Sequence, residues 1–265
     1  MFATAETASD LAGGVRRRIG IDASRAFVAR PTGTERYATA VIRHLLAQAG
    51  HDYRLYFRAP PALAPPPGAE LRVIPCPRLW THVRLATEIA RAMPDVLFVP
   101  AHVMPIVCRP PAVVTVHDLG FLAFPDAHPA AQRWYLDWTT RRHARRAAVV
   151  IADSAATRDD LVASYGADPA RIEVVHLGVD ASLRRADPPA IERTRRGLGL
   201  APGRTYVLHV GTRQPRKNLR RLLLAFAQIA PGRPDLDLVL AGAPGWGAED
   251  LAGVASTQGL GGRVV

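Results

Sequence analysis

Short apolar runs alternate with helical patterns along most of the chain, and this alternation constrains its fold more than any other feature. The runs are rich in Val, Ile and Leu, which is typical of strands buried inside a parallel sheet. They lie at 17–23, 53–57, 71–75, 95–100, 112–118, 148–154 and 172–178. Because strand–helix–strand repeats bring parallel strands side by side, the sequence predicts an α/β protein with helices on both faces of its sheet.

Helical patterns fill most of the intervals between these runs. In the first of them, the apolar pairs at 41–42 and 45–46 recur at the spacing of one helical face. The patterns lie at 34–50, 77–93, 130–147 and 155–166. Together the runs and helices predict a first Rossmann-like domain over residues 17–180, preceded by a disordered tail at 1–16.

The alternation stops at residues 181–204 and then restarts. This stretch combines Pro188-Pro189 with several arginines and a Gly/Pro-rich end, which predicts a linker. A second domain then begins over 205–265, with strands at 205–211, 236–243 and 262–265 and helices at 218–230 and 248–259. These strands are too few to close a sheet over the helices, so we expect the second domain to be incomplete and the sequence to be truncated.

Charge limits the classes of partner. The chain has 34 Lys and Arg against 23 Asp and Glu, a formal net charge of +11. This balance suits a polyanionic partner such as a phosphorylated substrate or an anionic membrane surface, or it reflects arginines scattered over the whole surface. No basic run is interleaved with aromatic residues, so a nucleic-acid partner is not expected.

Targeting signals and cysteines bear on location. The first 14 residues lack the apolar core of a signal peptide, and no run approaches the roughly 18–20 apolar residues of a membrane-spanning helix. Cys76 and Cys108, with no CxxC pair, argue against a disulfide framework and a zinc site. We therefore expect a cytoplasmic protein, with peripheral contact at the inner face of the membrane as an alternative.

Several familiar motifs are missing. The sequence has no Gly-Lys-Ser/Thr of a P-loop, no GxGxxG after a strand and no GxSxG nucleophile elbow. Asp235-Leu-Asp237 spells the DxD that some metal-dependent transferases use, but here it leads into a predicted strand. We expect Asp235 to be a turn residue and Asp237 a strand-edge residue, with no metal ion and no cofactor.

The stretch VGTRQPRKNL carries Lys217, the only lysine among 34 Lys and Arg. A strand is predicted to end at Gly211 and a helix to begin near Asn218, a favoured N-cap residue. Free N–H groups at a helix start attract anions, and Arg213, Arg216 and Lys217 add positive charge. The loop is therefore predicted to be a phosphate cradle, with a solvated basic loop as the alternative. A compact ammonium differs from a planar guanidinium, which favours a specific role for the lysine.

Two polar segments lie at predicted carboxyl ends of strands. In TVHDLGF, His117 and Asp118 directly follow a strand, where ligands bind in sheets of this class. They are candidates to contact substrate hydroxyls or to transfer protons, or else His117 is a histidine satisfied by neighbouring backbone. His102 ends the preceding strand, so we expect it to be a neighbour of His117.

The stretch PTGTERYA follows the first predicted strand. Thr32 and Glu35 match a capping box for the helix that begins there. Gly33, followed by Thr34, can also let the backbone approach a ligand closely. The loop is therefore a candidate to contact substrate.

The helix predicted at 130–147 ends in basic residues. They are Arg141, Arg142, Arg145 and Arg146. These arginines suit the negative end of a helix dipole. Together with Trp134 and Trp138, the same helix is also suited to lie on anionic lipid.

Several of these stretches, in this order, resemble glycosyltransferase family 4, the retaining GT-B transferases that use sugar nucleotides. The similar segments are GTERYA, VHDL, IADSAATRDDL, HLGVD, VGTRQPRKNL and LVLAGAPGWG. The resemblance covers residues 17–265 and is greatest to mannosyl- and rhamnosyltransferases of bacterial polysaccharide assembly. It implies the GT-B fold, with two Rossmann-like domains and an active site in the cleft between them.

The resemblance also assigns residues. In the family the second domain binds the nucleoside diphosphate-sugar, and Lys217 matches a lysine that binds the diphosphate. The position after the glycine is often arginine but is Thr212 here, so Arg213 or Arg216 would supply that charge. In the first domain, which binds the acceptor, His117 matches a histidine near the donor sugar. Gly33 matches a glycine that faces the diphosphate.

The implied reaction is transfer of a hexose, with retention and without a metal, to a polysaccharide or lipid-linked acceptor. Fixed cations would stabilise the charge that develops on the leaving phosphate. The family also carries, farther along, a pair of glutamates that this sequence lacks. Two hypotheses therefore stay open, an active transferase and a truncated, inactive remnant that only binds acceptor or membrane. An arginine-rich nucleic-acid binder is a weaker third.

Overall fold

A computed structural model of the chain describes residues 15–101, 103–125, 128–245, 247 and 250–265. The chain divides into two compact units, Met1–Gly178 and Val179–Val265. The tail predicted at 1–16 lies outside the described residues up to position 14. No helix in the described part of the chain is both long and apolar enough to cross a membrane.

The first unit contains a seven-stranded sheet in which neighbouring strands are parallel. Its strands are β1 (Arg18–Asp22), β2 (Asp52–Phe57), β3 (Ala69–Val73), β4 (Val96–Val99), β5 (Ala112–Val116), β6 (Val149–Ala152) and β7 (Ile172–Val174). Their order across the sheet is β3-β2-β1-β4-β5-β6-β7. Each strand coincides with an apolar run of the sequence, which confirms the predicted parallel α/β architecture.

Helices connect the strands of this sheet. They are α1 (Gly33–Leu46), α2 (Ala86–Arg91), α3 (Gly120–Ala123), α4 (Ala130–Arg146) and α5 (Ala155–Tyr165). α2 continues a π-helical segment, Trp80–Leu85, so the helix predicted at 77–93 is irregular in its first half. α3 is absent from the sequence prediction because four residues are too few to show a helical period.

Apolar side chains cover both faces of the sheet. One cluster includes Leu97, Val114 and Val150, and the other includes Ile21 and Leu55. Because both faces are buried, the central strands β4, β5 and β6 are apolar at nearly all successive positions instead of alternating with polar ones. The strand order reverses between β1 and β4, so the loops after these two strands flank the usual ligand-binding position of such a sheet.

The second unit contains a parallel two-stranded sheet among its described residues. Its strands are β8 (Thr205–Val210) and β9 (Leu236–Ala241), and its helices are α6 (Pro188–Gly197), α7 (Leu219–Ile229) and α8 (Leu251–Thr257). The last residue of the chain pairs beside β9, because the Val265 N–H donates to the Leu238 oxygen at 2.9 Å and the Leu240 N–H donates to Val265 at 2.7 Å. The strand predicted to begin at 262–265 therefore starts to form.

The segment predicted as a linker, 181–204, contains α6. The side chain of Asp187 caps this helix by accepting a hydrogen bond from the Ala190 N–H at 2.7 Å. The two prolines that suggest a break in the sequence stand at the first turn of the helix, where a missing N–H costs nothing. Proline here marks the start of a helix.

Candidate functional site

Three neighbouring strands of the first unit bring a histidine and an aspartate together. β4, β5 and β6 are adjacent and parallel, and the next residues after them are Pro100, His117 and Asp153. His117 Nδ1 lies 2.7 Å from Asp153 Oδ2, and His117 Nε2 lies 3.0 Å from the backbone oxygen of Pro100. The His117 and Asp153 side chains are only 17% and 12% exposed, so water competes little for these contacts.

The partners of His117 determine where its protons lie. A backbone carbonyl can only accept a hydrogen bond, so Nε2 donates to Pro100. Nδ1 lies against the Asp153 carboxylate, so contacts on both ring nitrogens fix the orientation of the ring.

α1 places an aromatic ring beside this pair. Tyr37 packs edge-on against His117, with ring centroids 4.8 Å apart, and its hydroxyl lies 3.1 Å from Thr115 Oγ1. Burial, together with the negative charge of Asp153, raises the pKa of the Tyr37 hydroxyl above its ordinary value. Tyr37 is therefore an uncharged aromatic ring that packs beside the His117–Asp153 pair.

The other residues predicted at this edge are placed differently. Asp118 is exposed, and its Oδ1 accepts a hydrogen bond from the Gly120 N–H at 2.9 Å. Asp118 therefore shapes the turn into α3, and its catalytic role stays a prediction. His102, which the sequence places next to His117, lies outside the described residues.

Asp153 is a site residue that reasoning from the sequence misses. It follows β6 directly, as His117 follows β5, and the register pairs Val116 with Ala152 in these strands. The two side chains are therefore level at the edge of the sheet. The position of Asp153 directly after a buried apolar run was the available signal. The local sequences of β5 and β6 do not show that the two strands are neighbours in the sheet.

Gly33 begins α1, as predicted. The Glu35 carboxylate accepts a hydrogen bond from the Thr32 N–H at 2.9 Å, so the capping contact predicted between these residues forms. A Cβ added at Gly33 would meet nothing within 4 Å. The fold itself therefore does not require glycine there, and Gly33 and Thr34 stay candidates for contact with a ligand.

In the second unit, the loop after β8 is held against the loop after β9. Arg213 and Pro244 form an isolated parallel bridge, and the Gly245 N–H donates to the Arg213 oxygen at 2.8 Å. A Cβ on Gly242 would lie 1.9 Å from the Gly211 oxygen, so only glycine allows this approach. The two loops form one fixed layer, which we call the loop pair (residues 211–217 and 242–245).

The loop pair carries positive charge that the protein itself does not use. Lys217 and Arg216 are exposed, and the side chain of neither has a hydrogen bond or ion pair with a described residue. Arg213 Nε and His209 Nε2 are buried and have no hydrogen-bond partner in the described part of the chain. Unpaired polar nitrogens of this kind are uncommon in folded proteins and call for an explanation.

Lys217 lies close to the end of β8. A Cβ on Gly211 would lie 3.4 Å from His209 Nε2 and 3.9 Å from Lys217 Cε, so the three residues converge. Residues Pro215–Lys217 form a 3₁₀ turn that brings the lysine back to this point. The sequence prediction omits His209. Its single signal in the sequence is its position near the end of an apolar run.

Asn218 precedes α7 but does not cap it as predicted. Its backbone is left-handed, with φ 51° and ψ 43°, and its side chain makes no capping hydrogen bond. Asparagine tolerates this conformation better than most residues. The residue is therefore suited to the sharp turn between the 3₁₀ segment and α7, and its side chain leaves the first turn of the helix uncapped.

The two aspartates of the DxD triplet are both paired with arginine. Asp235 accepts a hydrogen bond from Arg233 at 3.1 Å, which holds the pKa of that carboxyl well below its usual value. Asp237 is only 3% exposed and lies within β9. Its Oδ2 accepts a hydrogen bond from Arg204 Nε at 2.6 Å. Asp237 is therefore a buried strand residue and not the strand-edge residue that the sequence predicts.

Comparisons with known proteins agree on one family. The sequence model described as Glycosyltransferase Family 4 matches residues 31–183, more than half of the chain. A D-inositol 3-phosphate glycosyltransferase of Rhodococcus jostii is 37% identical over 121 residues, which cover 43% of this chain and 26% of that protein. An O-antigen chain mannosyltransferase B of Escherichia coli is 28% identical over 137 residues, which cover 51% of this chain and 35% of that protein. The chain thus matches about a quarter to a third of the length of these relatives.

Solved structures show a similar fold. The crystal structure of Anabaena HepE in complex with UDP-glucose matches with a TM-score of 0.69 at 19% identity, covering 94% of this chain and 68% of that chain. Together with the two parallel sheets, this likeness confirms the predicted GT-B fold.

Proposed function

This chain belongs to glycosyltransferase family 4, and we propose that it transfers a hexose from a nucleoside diphosphate-sugar to a polysaccharide or lipid-linked acceptor. The hexose is mannose- or rhamnose-like, and the transfer proceeds with retention and without a metal ion. In this proposal the second unit binds the donor and the first unit binds the acceptor. The reaction takes place in the cytoplasm, where Cys76 and Cys108 stay as free thiols.

The observation that carries the proposal is the unused positive charge of the loop pair. The side chains of Lys217 and Arg216 lack protein partners among the described residues. Both residues belong to the loop pair, whose close packing depends on Gly242. Cations held on a rigid backbone bind a diphosphate with little loss of entropy. We assign Lys217 to the diphosphate. Gly211 gives the diphosphate oxygens access to the backbone, and Arg213 and Arg216 add positive charge.

This arrangement fits the chemistry of glycosyl transfer. When the sugar–phosphate bond breaks, the sugar becomes oxocarbenium-like and negative charge develops on the leaving diphosphate. A preorganised cation stabilises that charge more in the transition state than in the ground state, which lowers the barrier. In our proposal Lys217 supplies this stabilisation.

In the first unit we assign His117 to the donor sugar, which it contacts by exchanging one of its two protein contacts. Gly33 and Thr34 we assign to the loop that contacts donor and acceptor. Asp153 is a positioning residue, because it holds the His117 ring by its 2.7 Å contact and does not itself need to touch substrate. Asp118 and His102 stay in the proposal as candidates at the same sheet edge.

Two names among the similar proteins support the substrate classes. The Escherichia coli relative is an O-antigen chain mannosyltransferase, which supports a mannose-like donor and a polysaccharide product. Anabaena HepE is solved with UDP-glucose, which supports a nucleoside diphosphate-sugar as donor. The experiments below identify the nucleotide base, the sugar and the acceptor within these classes.

The first experiment is calorimetric titration of the chain with GDP, UDP and dTDP and with their sugars. We expect one nucleotide to bind, and Lys217→Ala to weaken its binding about tenfold or more, since a charge-assisted contact to phosphate is lost. Lys217→Arg should recover part of the loss. Arg193→Ala is the matched control, since this exposed arginine of α6 also lacks a partner among the described residues and should leave binding unchanged.

An unchanged affinity in Lys217→Ala would refute the diphosphate assignment. The second experiment measures transfer from the nucleotide-sugar that binds to lipid and glycan acceptors, in buffer containing EDTA. Sugar transfer under these conditions, with the anomeric configuration of the donor kept in the product, supports the full proposal. Nucleotide binding without transfer favours a binding-only protein instead.

A further inference from the structure

α4 exposes its two tryptophans, and most of its buried residues are polar. Surface helices ordinarily do the reverse. The indoles of Trp134 and Trp138 are 67% and 37% exposed. The buried residues of the helix are Thr139, Thr140, His143 and Ala144. Packing against the first unit therefore does not account for the two tryptophans.

The exposed residues of α4 form one continuous face. Trp134, Trp138, Arg141 and Arg145 follow one another at intervals of four, three and four residues, which places them on one side of a helix. We call these four residues the Trp–Arg face. The two indoles stack with centroids 6.2 Å apart and planes inclined by 5°. The face thus presents a flat aromatic surface next to a basic one.

The charge around this face is positive. Arg145 and Arg146 are exposed, and their side chains have no hydrogen bond or ion pair with a described residue. Asp137, the single acid of α4, accepts a hydrogen bond from the Tyr165 hydroxyl at 2.8 Å and lies 3.8 Å from Arg141. Its charge is therefore engaged within the protein, and a partner meets unpaired arginines.

The apolar surface continues beyond α4. α3 packs against α4, and Leu122 and Phe124 at its end are 37% and 63% exposed. In the π-helical segment Trp80–Leu85, the ring of His82 lies against Trp138 with centroids 6.5 Å apart, and the neighbouring Val83 is 54% exposed. An aromatic and aliphatic surface bordered by free arginines matches a partner that is both apolar and anionic.

We propose that the Trp–Arg face docks peripherally on an anionic lipid membrane, with the indoles at the boundary between headgroups and acyl chains and the arginines on lipid phosphates. Tryptophan favours this boundary, and basic residues beside it gain from the negative surface potential. A second copy of the chain is a poorer occupant, because a symmetric contact would bring the free arginines of both copies together. The proposal does not depend on sugar transfer.

The experiment is sedimentation of the full chain with vesicles of phosphatidylcholine alone or of phosphatidylcholine mixed with phosphatidylglycerol. We expect binding to the mixed vesicles only, weakened at least about tenfold in Arg145→Glu/Arg146→Glu and in Trp134→Ala/Trp138→Ala. The matched control is Arg193→Glu/Arg196→Glu, two exposed arginines of α6 that give the same change in net charge. This control should bind within about twofold of the wild type.

A second measurement uses the wild-type chain and a conservative variant. Lipids brominated on their acyl chains should quench the tryptophan fluorescence of the wild-type chain, and Trp134→Phe/Trp138→Phe should remove most of that quenching. Equal weakening in the α6 control would overturn the proposal, since binding would then follow net charge alone. Equal binding to both kinds of vesicle, or a tryptophan variant that alters self-association and not vesicle binding, would overturn it too.

Discussion

The imidazole of His117 and the carboxylate of Asp153 meet at 2.7 Å although 36 residues separate them in the sequence. Their contact exists because β5 and β6 are neighbours in the sheet and end level with each other. Pro100, after the next strand, accepts the hydrogen bond of the other ring nitrogen at 3.0 Å. The ring is thus held by residues that follow β4 and β6, the two strands on either side of β5.

Replacing Asp153 should release this ring. Asp153→Asn removes a charged hydrogen-bond partner from a mostly buried pair, so we expect the free energy of unfolding to fall by about 1–3 kcal/mol. Urea denaturation followed by circular dichroism measures the change. Asp159→Asn is the control, because its carboxylate is 65% exposed and should cost no more than about 0.5 kcal/mol. A similar small effect in both variants would mean that the His117–Asp153 contact contributes little.

Gly242 should tolerate no side chain. Gly242→Ala would bring Cβ to within 1.9 Å of the Gly211 oxygen and would force the loop pair apart. We expect a loss of about 1–3 kcal/mol in unfolding free energy and weaker nucleotide binding. In the control Gly232→Ala the new Cβ meets nothing within 4 Å, so stability should change little. Wild-type stability and nucleotide affinity in Gly242→Ala would show that the loops are not packed as described.

Glu88 should contribute stability that depends on pH. Hydrogen bonds from Arg72 at 2.6 Å and Arg84 at 3.1 Å hold its pKa below the ordinary value of 4.5, against the opposing effect of burial. A carboxyl whose folded pKa is depressed stabilises the protein above its unfolded pKa, and that contribution is lost as pH falls through the folded pKa.

Glu88→Gln should therefore cost about 1–2 kcal/mol at neutral pH, a figure reduced for the exposure of Arg72. The difference from wild type should shrink steadily as pH falls below about 4.5. Urea titrations across this range measure it. A difference that stays constant with pH would show that packing, and not charge, accounts for the loss.

Arg204 should neutralise the buried Asp237. Its Nε donates to the Asp237 carboxylate at 2.6 Å, and Arg263 lies farther away at 3.6 Å. Arg204→Met should destabilise the protein, but by less than the usual cost of breaking a buried pair, because Arg263 remains. Thermal unfolding measures the shift.

The double variant Arg204→Met/Asp237→Leu removes both charges. It should lose less stability than Arg204→Met alone, since no uncompensated carboxylate is left in the interior. A double variant that is the less stable of the two would show that the pair is favourable in itself.

Much of the fold follows from the sequence because its signals are local. The seven strands of the first unit coincide with apolar runs, and α1, α4 and α5 coincide with helical patterns. Proline is the instructive exception, since Pro188 and Pro189 suggest a break in the sequence and yet begin α6. The same residue either ends a helix or starts one, and which of the two occurs depends on the Asp187 cap before it.

By itself, the sequence determined the parallel α/β class and the family and singled out Lys217 as a candidate site residue, because periodicity, motif and composition are properties of neighbouring residues. Only the tertiary structure decided that Asp153 holds His117, that His209 lies beside Lys217, and that the tryptophans of α4 face outward. Strand order and packing decide these relations, since they bring together segments that are far apart in the sequence and whose local residues do not indicate which segments they will contact. Burial, which determines the effect of a charge or an aromatic ring, likewise exists only once the chain has folded.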